Sequence, residues 1–212
     1  ACYPLGSVLT IAAAGSEMSN SCVITNEEGW YKKALDTDLA RPKFAIMNPE
    51  ITYTLPDYQT QCGCADIMMH TMERYFVLED TMEITDKIAQ DVMKNVMKYA
   101  KILKKDPENY EARAEIMWCG SLSHNGLTGC GTCGGDWATH LIEHELGGMF
   151  DVAHGAGLAA VWGSWARYVM DEKPERFAQF AVDVMGVEES DDVKSTALKG
   201  IEAVEEFYRM IE

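Results

Sequence analysis

The segment from His140 to Gly157 reads His140-Leu-Ile-Glu-His144-Glu-Leu-Gly147-Gly148-Met-Phe-Asp-Val-Ala-His154-Gly155-Ala-Gly157, and it holds three of the five histidines of the chain. His140 and His144 are four residues apart, so on a helix both side chains lie on one face. Gly147-Gly148 predicts the end of that helix, and the small residues after His154 predict the start of another. Two helices joined by such a turn bring His140 and His154 close together.

A second cluster with helical spacing lies upstream, where Asp66 and His70 are also four residues apart. One carboxylate and up to three imidazoles from the two clusters can enclose a divalent cation. A single histidine more often packs on a helix face than binds a metal. Because four of the five histidines fall in two spaced clusters, and one cluster carries an aspartate, we predict a metal site.

The composition describes a globular chain of 212 residues, with 47% apolar and 25% charged residues. Its net charge of −16 argues against nucleic acid as a partner, because phosphates would be repelled. No apolar run approaches the ~20 residues that cross a bilayer, and the first residues lack the basic start of a signal peptide. Seven cysteines without the spacing of a disulfide scaffold favour reduced thiols and a cytoplasmic location.

The front of the chain, up to Pro56, has the pattern of short strands and turns. Strand-like pieces lie at residues 7–11, 22–25, 30–35 and 43–47. The last piece is a compact apolar run closed by Asn48-Pro49, which predicts a buried strand.

The rest of the chain has the apolar spacing of helices. The predicted helices are 57–78, 82–104, 110–124, one from about 136 to Gly147, 155–170, 175–185, and one from 191 to the end. We therefore expect a mainly α fold with a small α/β front part.

Two cysteine pairs offer a different metal site. Cys62-x-Cys64 and Cys130-x-x-Cys133 together supply four thiolates, which is a ligand set of structural zinc. The single-residue gap in the first pair is unusual for zinc, so we favour free thiols at these positions.

Several pieces of the chain, in the same order, resemble the iron-containing (group III) alcohol dehydrogenases, particularly the NADPH-dependent butanol dehydrogenase branch. The matching pieces are residues 9–18, 43–50, 53–56, 65–73, 125–127, 135–140, 143–148 and 154–155. The specific part of the likeness is the double cluster, an Asp-x3-His together with a His-x3-His-x9-His.

The resemblance implies a dehydroquinate synthase-like layout. Residues 1–56 would be the C-terminal remnant of a nucleotide-binding α/β domain, and residues 57–212 an all-helical metal-binding catalytic domain that is incomplete at its C-terminus. The Gly-Gly-Gly-Ser phosphate loop of the family is absent from this sequence. We therefore expect a fragment, or a part of a longer protein.

The resemblance also assigns roles to individual residues. The metal ligands would be Asp66, His70, His140 and His154, with Fe(II) or Zn(II) as the metal. His144 would lie beside the metal and the nicotinamide and relay the alcohol proton, since an ordinary histidine pKa of ~6.5 lies near working pH. The residues expected at the nicotinamide end of the cofactor are Thr10, Gly15, Ser16, Ser19 and Lys32.

The activity implied is that of a metal-dependent, NAD(P)H-linked oxidoreductase that interconverts primary alcohols and aldehydes such as butanol and butyraldehyde. NADP(H) is favoured over NAD(H), and the metal would polarise the substrate oxygen while hydride passes to or from the nicotinamide. With Asp66 as the only charged ligand, the site would keep one positive charge. The sequence is also compatible with a homodimer.

Two alternatives stay open at this point. The first is a relative of glycerol dehydrogenase or dehydroquinate synthase, which would share the domain layout but differ in metal ligands. The second is a helical fragment that binds a metal but has no activity by itself.

Overall fold

The computed structural model describes residues 3–79 and 82–212, and most of this part is helical. The strands are β1 (Gly6–Val8), β2 (Ser21–Asn26), β3 (Tyr31–Asp36) and β4 (Phe44–Ile46). The helices are α1 (Asp57–Tyr75), α2 (Glu83–Leu103), α3 (Tyr110–His124), α4 (Ala138–Phe150), α5 (His154–Val169), α6 (Pro174–Asp183) and α7 (Val193–Ile211). The predicted fold, mainly α with a small front part of strands, is confirmed. Within the described ranges, no helix combines the length and apolar character that a bilayer span requires.

The front part forms two separate two-stranded sheets. β1 pairs in parallel with β4, and β2 and β3 form an antiparallel hairpin. The prediction that residues 43–47 form a buried strand is wrong in its burial, because Phe44 is 62% and Ile46 is 52% exposed. β4 pairs with one short strand, and its residues are all exposed, so in the described chain no packed layer covers its apolar side chains.

Helix α1 lies at the centre of the helical part. Every residue from Gly63 to Tyr75 is buried, and α1 packs against α2, α3 and α5. A helix that is buried on all sides must carry apolar residues around its whole circumference. The completely buried side chains of Ile67, Met68, Met69 and Met72 fill this role, and they carry Asp66 and His70 into the core with them.

Helix α4 does not end at Gly147-Gly148, so that prediction is wrong. The helix continues to Phe150 and is closed by Asp151, which has a φ of 53°. The two glycines instead allow another segment to approach, because a Cβ at Gly148 would lie 2.6 Å from the carbonyl oxygen of Trp30. The β2–β3 hairpin therefore packs directly against α4.

Helix α5 approaches α1 closely at Gly155, the residue after His154. A Cβ on Gly155 would overlap the carbonyl oxygen of Cys62 in α1. The missing side chain thus sets the distance between the two helices and the position of His154.

We expect Gly155→Ala to lower the free energy of unfolding by about 2 kcal/mol, because overpacking against a rigid backbone costs about 1–3 kcal/mol. Urea denaturation measures this change. Gly120→Ala in α3 is the matched control, since its Cβ would come no closer than 3.3 Å to a neighbouring side chain, that of Ile67, and would meet no backbone atom. Equal stability of the two variants would contradict the close approach of α5 to α1.

The cysteines of the described chain differ sharply in environment. Cys64 and Cys119 are buried in the core, and burial raises the pKa of each thiol to about 12. Cys130 and Cys133 are exposed in the loop before α4. Since the thiolate is the reactive form, these two groups should react at very different rates.

At pH 8, we expect iodoacetamide to modify Cys130 and Cys133 of the native chain and to leave Cys64 and Cys119 unmodified. Peptide mass spectrometry measures the modification at each site. In denaturant all four should react, which serves as the control. If Cys64 were modified as fast as Cys133 in the native chain, the burial of Cys64 in the core around α1 would be contradicted.

Candidate metal centre

The two histidine clusters of the sequence meet around Asp66. The Nε2 atom of His70 lies 3.4 Å from Asp66 Oδ1, and the Nε2 atoms of His140 and His154 each lie 3.6 Å from the same oxygen. Helix α1 supplies Asp66 and His70, α4 supplies His140, and α5 begins at His154. Asp66, His140 and His154 form a group whose ligand atoms all lie within 4.8 Å of one another. His70, the fourth expected ligand, faces the same Asp66 oxygen but does not belong to that group.

The polar atoms at this point lack other partners. Asp66 is 3% exposed, and Asp66 Oδ1 and His140 Nε2 are buried without a hydrogen-bond partner in the described chain. An unsatisfied buried polar group costs about 1–3 kcal/mol. Donor atoms about 2.1 Å from a tetrahedral cation lie about 3.4 Å from one another, which matches the spacing around Asp66. The residues therefore fit a divalent cation.

Two buried glutamates flank the cluster, and our sequence analysis did not identify either. Glu73 Oε1 lies 3.0 Å from His140 Nδ1, and Glu143 Oε2 bonds to His154 Nδ1. Each follows a histidine by three residues, as His70-x-x-Glu73 and His140-x-x-Glu143. That repeated spacing is the signal that could have found them.

Lys32 reaches the same region from strand β3. Its Nζ lies 3.2 Å from Glu143 Oε2 and 3.5 Å from His154 Nδ1. Glu143, His144 and His154 form a second group with ligand atoms within 4.8 Å of one another. Because the Lys32 ammonium already supplies a positive charge there, the group around Asp66 is the better cation site.

The histidines of the cluster differ in the direction in which their surroundings shift the pKa. Burial alone would lower the pKa of His140, but the nearby carboxylates of Asp66 and Glu73 raise it to about 9. Burial lowers the pKa of His144 to about 4, and the charge of Lys32 acts in the same direction. Burial also lowers the pKa of His70 well below its ordinary value. His144 is therefore a neutral imidazole at neutral pH, and its pKa lies below the ordinary value on which its expected role as a proton relay was based.

The protonation of the Glu143 carboxylate is also set by its neighbours. Burial alone would raise the pKa of Glu143, but the hydrogen bond from His154 and the charge of Lys32 hold it below its ordinary value. Glu143 is therefore ionised at neutral pH and carries a full negative charge beside the candidate metal ligands.

The residues expected at the nicotinamide lie in different environments. Thr10 and Ser16 are exposed, whereas Gly15 and Ser19 are buried. Gly15 has a φ of 59° and packs against α3, where a Cβ would lie 2.7 Å from the carbonyl oxygen of Gly120. The hydroxyl of Ser19 forms a 2.8 Å hydrogen bond with His124 Nδ1.

His124 lies outside both sequence clusters, yet the structure places it beside them. Its ring centroid is 4.0 Å from that of His70. Trp137 covers the neighbouring side, with its ring centroid 5.2 Å from that of His140. The rings of His124 and Trp137 cover His70 and His140. Spacing along the chain does not predict these contacts.

The four-thiolate zinc site is not formed. Over residues 3–79 and 82–212, neither group of converging metal-binding side chains contains a cysteine. Cys64 is buried in the core while Cys130 and Cys133 are exposed. The alternative raised by the cysteine spacing is therefore wrong.

Comparison with known proteins agrees with this geometry. Residues 60–212 match the family model described as the Fe-containing alcohol dehydrogenase family, C-terminal. The chain is 37% identical to NADH-dependent butanol dehydrogenase A of Clostridium acetobutylicum over 209 residues, which cover 98% of this chain and 54% of that protein. It is 34% identical to NADPH-dependent aldehyde reductase YqhD of Escherichia coli, over 98% of this chain and 53% of that protein.

Solved structures show the same likeness. The crystal structure of NADH-dependent butanol dehydrogenase A from Thermotoga maritima superposes with a TM-score of 0.94 at 38% identity, over 98% of this chain and 52% of that one. The chain thus spans about half the length of the curated relatives it matches. By the match over residues 60–212 and the shared fold, this chain belongs to the Fe-containing alcohol dehydrogenase family.

Proposed function

We propose that the chain carries the metal-binding part of an NAD(P)H-linked oxidoreductase that interconverts primary alcohols and aldehydes. The observation that carries this proposal is the convergence of three histidine Nε2 atoms on one buried oxygen of Asp66. The names of the relatives, which include butanol dehydrogenases and an aldehyde reductase, support the substrate class.

Asp66, His70, His140 and His154 are the proposed ligands of a divalent cation, with Fe(II) or Zn(II) suited to three imidazoles and a carboxylate. When bound, such an ion supplies Lewis-acid polarisation of the alcohol or aldehyde oxygen. The surrounding residues set the charge of the site. Asp66, Glu73 and Glu143 contribute three carboxylates and Lys32 one ammonium. With the histidines neutral, as metal ligands must be, these groups would carry two negative charges, which would balance a divalent ion.

His144 is the proposed proton acceptor. Its ring is neutral at neutral pH because burial lowers its pKa to about 4, and its centroid lies 5.7 Å from that of His154. From this position it would accept the proton of an alcohol bound beside Asp66 and His154, and would return it to the product alcohol in the reverse reaction.

The cofactor is proposed to approach from the front part of the chain. The exposed side chains of Thr10 and Ser16 are available for contact, and Lys32 connects this part to the metal centre through Glu143. Gly15 and Ser19 would act by shaping the loop, because both are buried. Both NADH- and NADPH-dependent relatives occur, and we keep NADP(H) as the proposed preference.

Removal of a ligand should remove the metal. We expect Asp66→Ala and His154→Ala to lower the metal content of the purified chain at least about tenfold, since even the loss of an outer-shell partner costs about 10–100-fold in metal affinity. Inductively coupled plasma mass spectrometry measures iron and zinc per chain. Asp57→Ala, in the same helix but paired with Lys104 at the surface, is the matched control. Full metal content in both ligand variants would refute the assignment.

Activity tests the reaction itself. We expect the metal-loaded chain to oxidise NADPH, and NADH more slowly, in the presence of butyraldehyde, as followed by absorbance. His144→Gln should lower kcat about 100-fold, because loss of a general acid–base group costs about 10²–10⁴-fold, while the metal content stays unchanged. Bound metal without turnover would instead favour the inactive metal-binding fragment.

A further inference from the structure

Two helices at the metal centre carry the same short motif. His70-x-x-Glu73 lies on α1 and His140-x-x-Glu143 lies on α4. Residues three apart on a helix share a face, so each glutamate lies on the same side as the histidine before it. Its hydrogen bond, however, goes to the histidine of another helix: Glu73 bonds to His140, and Glu143 bonds to His154.

Glu73 holds His140 in two ways. Its Oε1 accepts a 3.0 Å hydrogen bond from the backbone N–H of His140, and it lies 3.0 Å from Nδ1 of the same residue. One buried oxygen therefore fixes both the main chain at the start of α4 and the rotation of the imidazole. An imidazole that donates from Nδ1 keeps its lone pair on Nε2, which is the atom that faces Asp66.

Glu143 holds His154 in a space made by two glycines. The side chain is completely buried, and its Oε2 bonds to His154 Nδ1 and to Lys32 Nζ. A Cβ at Gly157 would lie 2.8 Å from Glu143 Cγ, and one at Gly147 would lie 2.9 Å from its Oε1. The surrounding backbone thus leaves room for this carboxylate and for little else.

We propose that Glu73 and Glu143 are positioning residues of the metal centre, each holding one ligand histidine with its proton on Nδ1 and its Nε2 directed at the cation. This inference rests on the proposed metal site. Carboxylates in this position fix the tautomer of a ligand histidine and make it a stronger base, and their loss typically costs 10–100-fold in metal affinity.

His70, the third candidate ligand histidine, differs from the other two. His70 Nδ1 is buried without a hydrogen-bond partner in the described chain. The His70 ring is held by packing instead, since it stacks on His140 with centroids 4.8 Å apart and meets the edge of His124. The carboxylate partners therefore act on the two histidines that α4 and α5 bring to α1.

Zinc affinity tests the proposal, measured on the full chain by competition with a chromophoric chelator. We expect Glu73→Ala and Glu143→Ala to raise the zinc Kd about 10–100-fold. Glu73→Gln and Glu143→Gln should have smaller effects, because the amide oxygen still accepts the Nδ1 proton but carries no charge. Glu145→Gln, exposed on the same helix α4, is the matched control and should bind zinc like the unaltered chain.

A second measurement separates positioning from folding. The visible spectrum of the Co(II)-loaded chain reports ligand geometry, and we expect it to change in the glutamine variants and not in Glu145→Gln. If the alanine variants fail to fold, the glutamine variants decide: unaltered zinc affinity and an unaltered Co(II) spectrum would overturn the proposal. An unaltered chain that binds neither zinc nor cobalt would refute the metal site, and the proposed function with it.

Discussion

A carboxylate buried in the middle of a helical core is the constraint on which this structure depends. Asp66 lies on α1, which is buried on all sides from Gly63 to Tyr75. Burying a charge is costly unless it is paired. Helices α4 and α5 present His140 and His154 to the same oxygen that His70 faces, but this oxygen forms no hydrogen bond in the described chain. The arrangement leaves donor atoms in the core with no protein partner, and a divalent cation would satisfy them.

Close backbone contacts at glycines set the positions of the helices that carry the candidate metal ligands. Gly155 allows α5 to touch α1 immediately after His154, and Gly63 makes similar room on α1 for the carbonyl of Ala12. Gly147-Gly148 lets the hairpin reach α4 without interrupting that helix. In each case a side chain as small as alanine would separate the two segments. Gly155, Gly147 and Gly148 therefore help to place the candidate metal ligands, although none of these glycines is itself a candidate ligand.

Charged side chains surround the candidate ligands, and one of them belongs to the front part of the chain. Glu73 and Glu143 place two further carboxylates behind the histidines, and Lys32 of β3 neutralises one of them. The site is thus more negative than Asp66 alone would make it. The link from Lys32 through Glu143 to His154 joins the hairpin, where we propose that the cofactor approaches, to a proposed metal ligand.

Local patterns in the sequence determined the helices and the candidate ligands. Apolar spacing located all seven α-helices of the described chain, and the four-residue spacing of Asp66 with His70, and of His140 with His144, identified the clusters, because helical neighbours are also neighbours in sequence.

Tertiary structure alone decided the exposure of β4, the continuation of α4 through its glycines, and the partners of the candidate ligand histidines. Glu73 and His140 are 67 residues apart, and Lys32 and His154 are 122 apart. No local pattern encodes such contacts, since they arise only when the packing of helices around α1 brings distant side chains to one buried point.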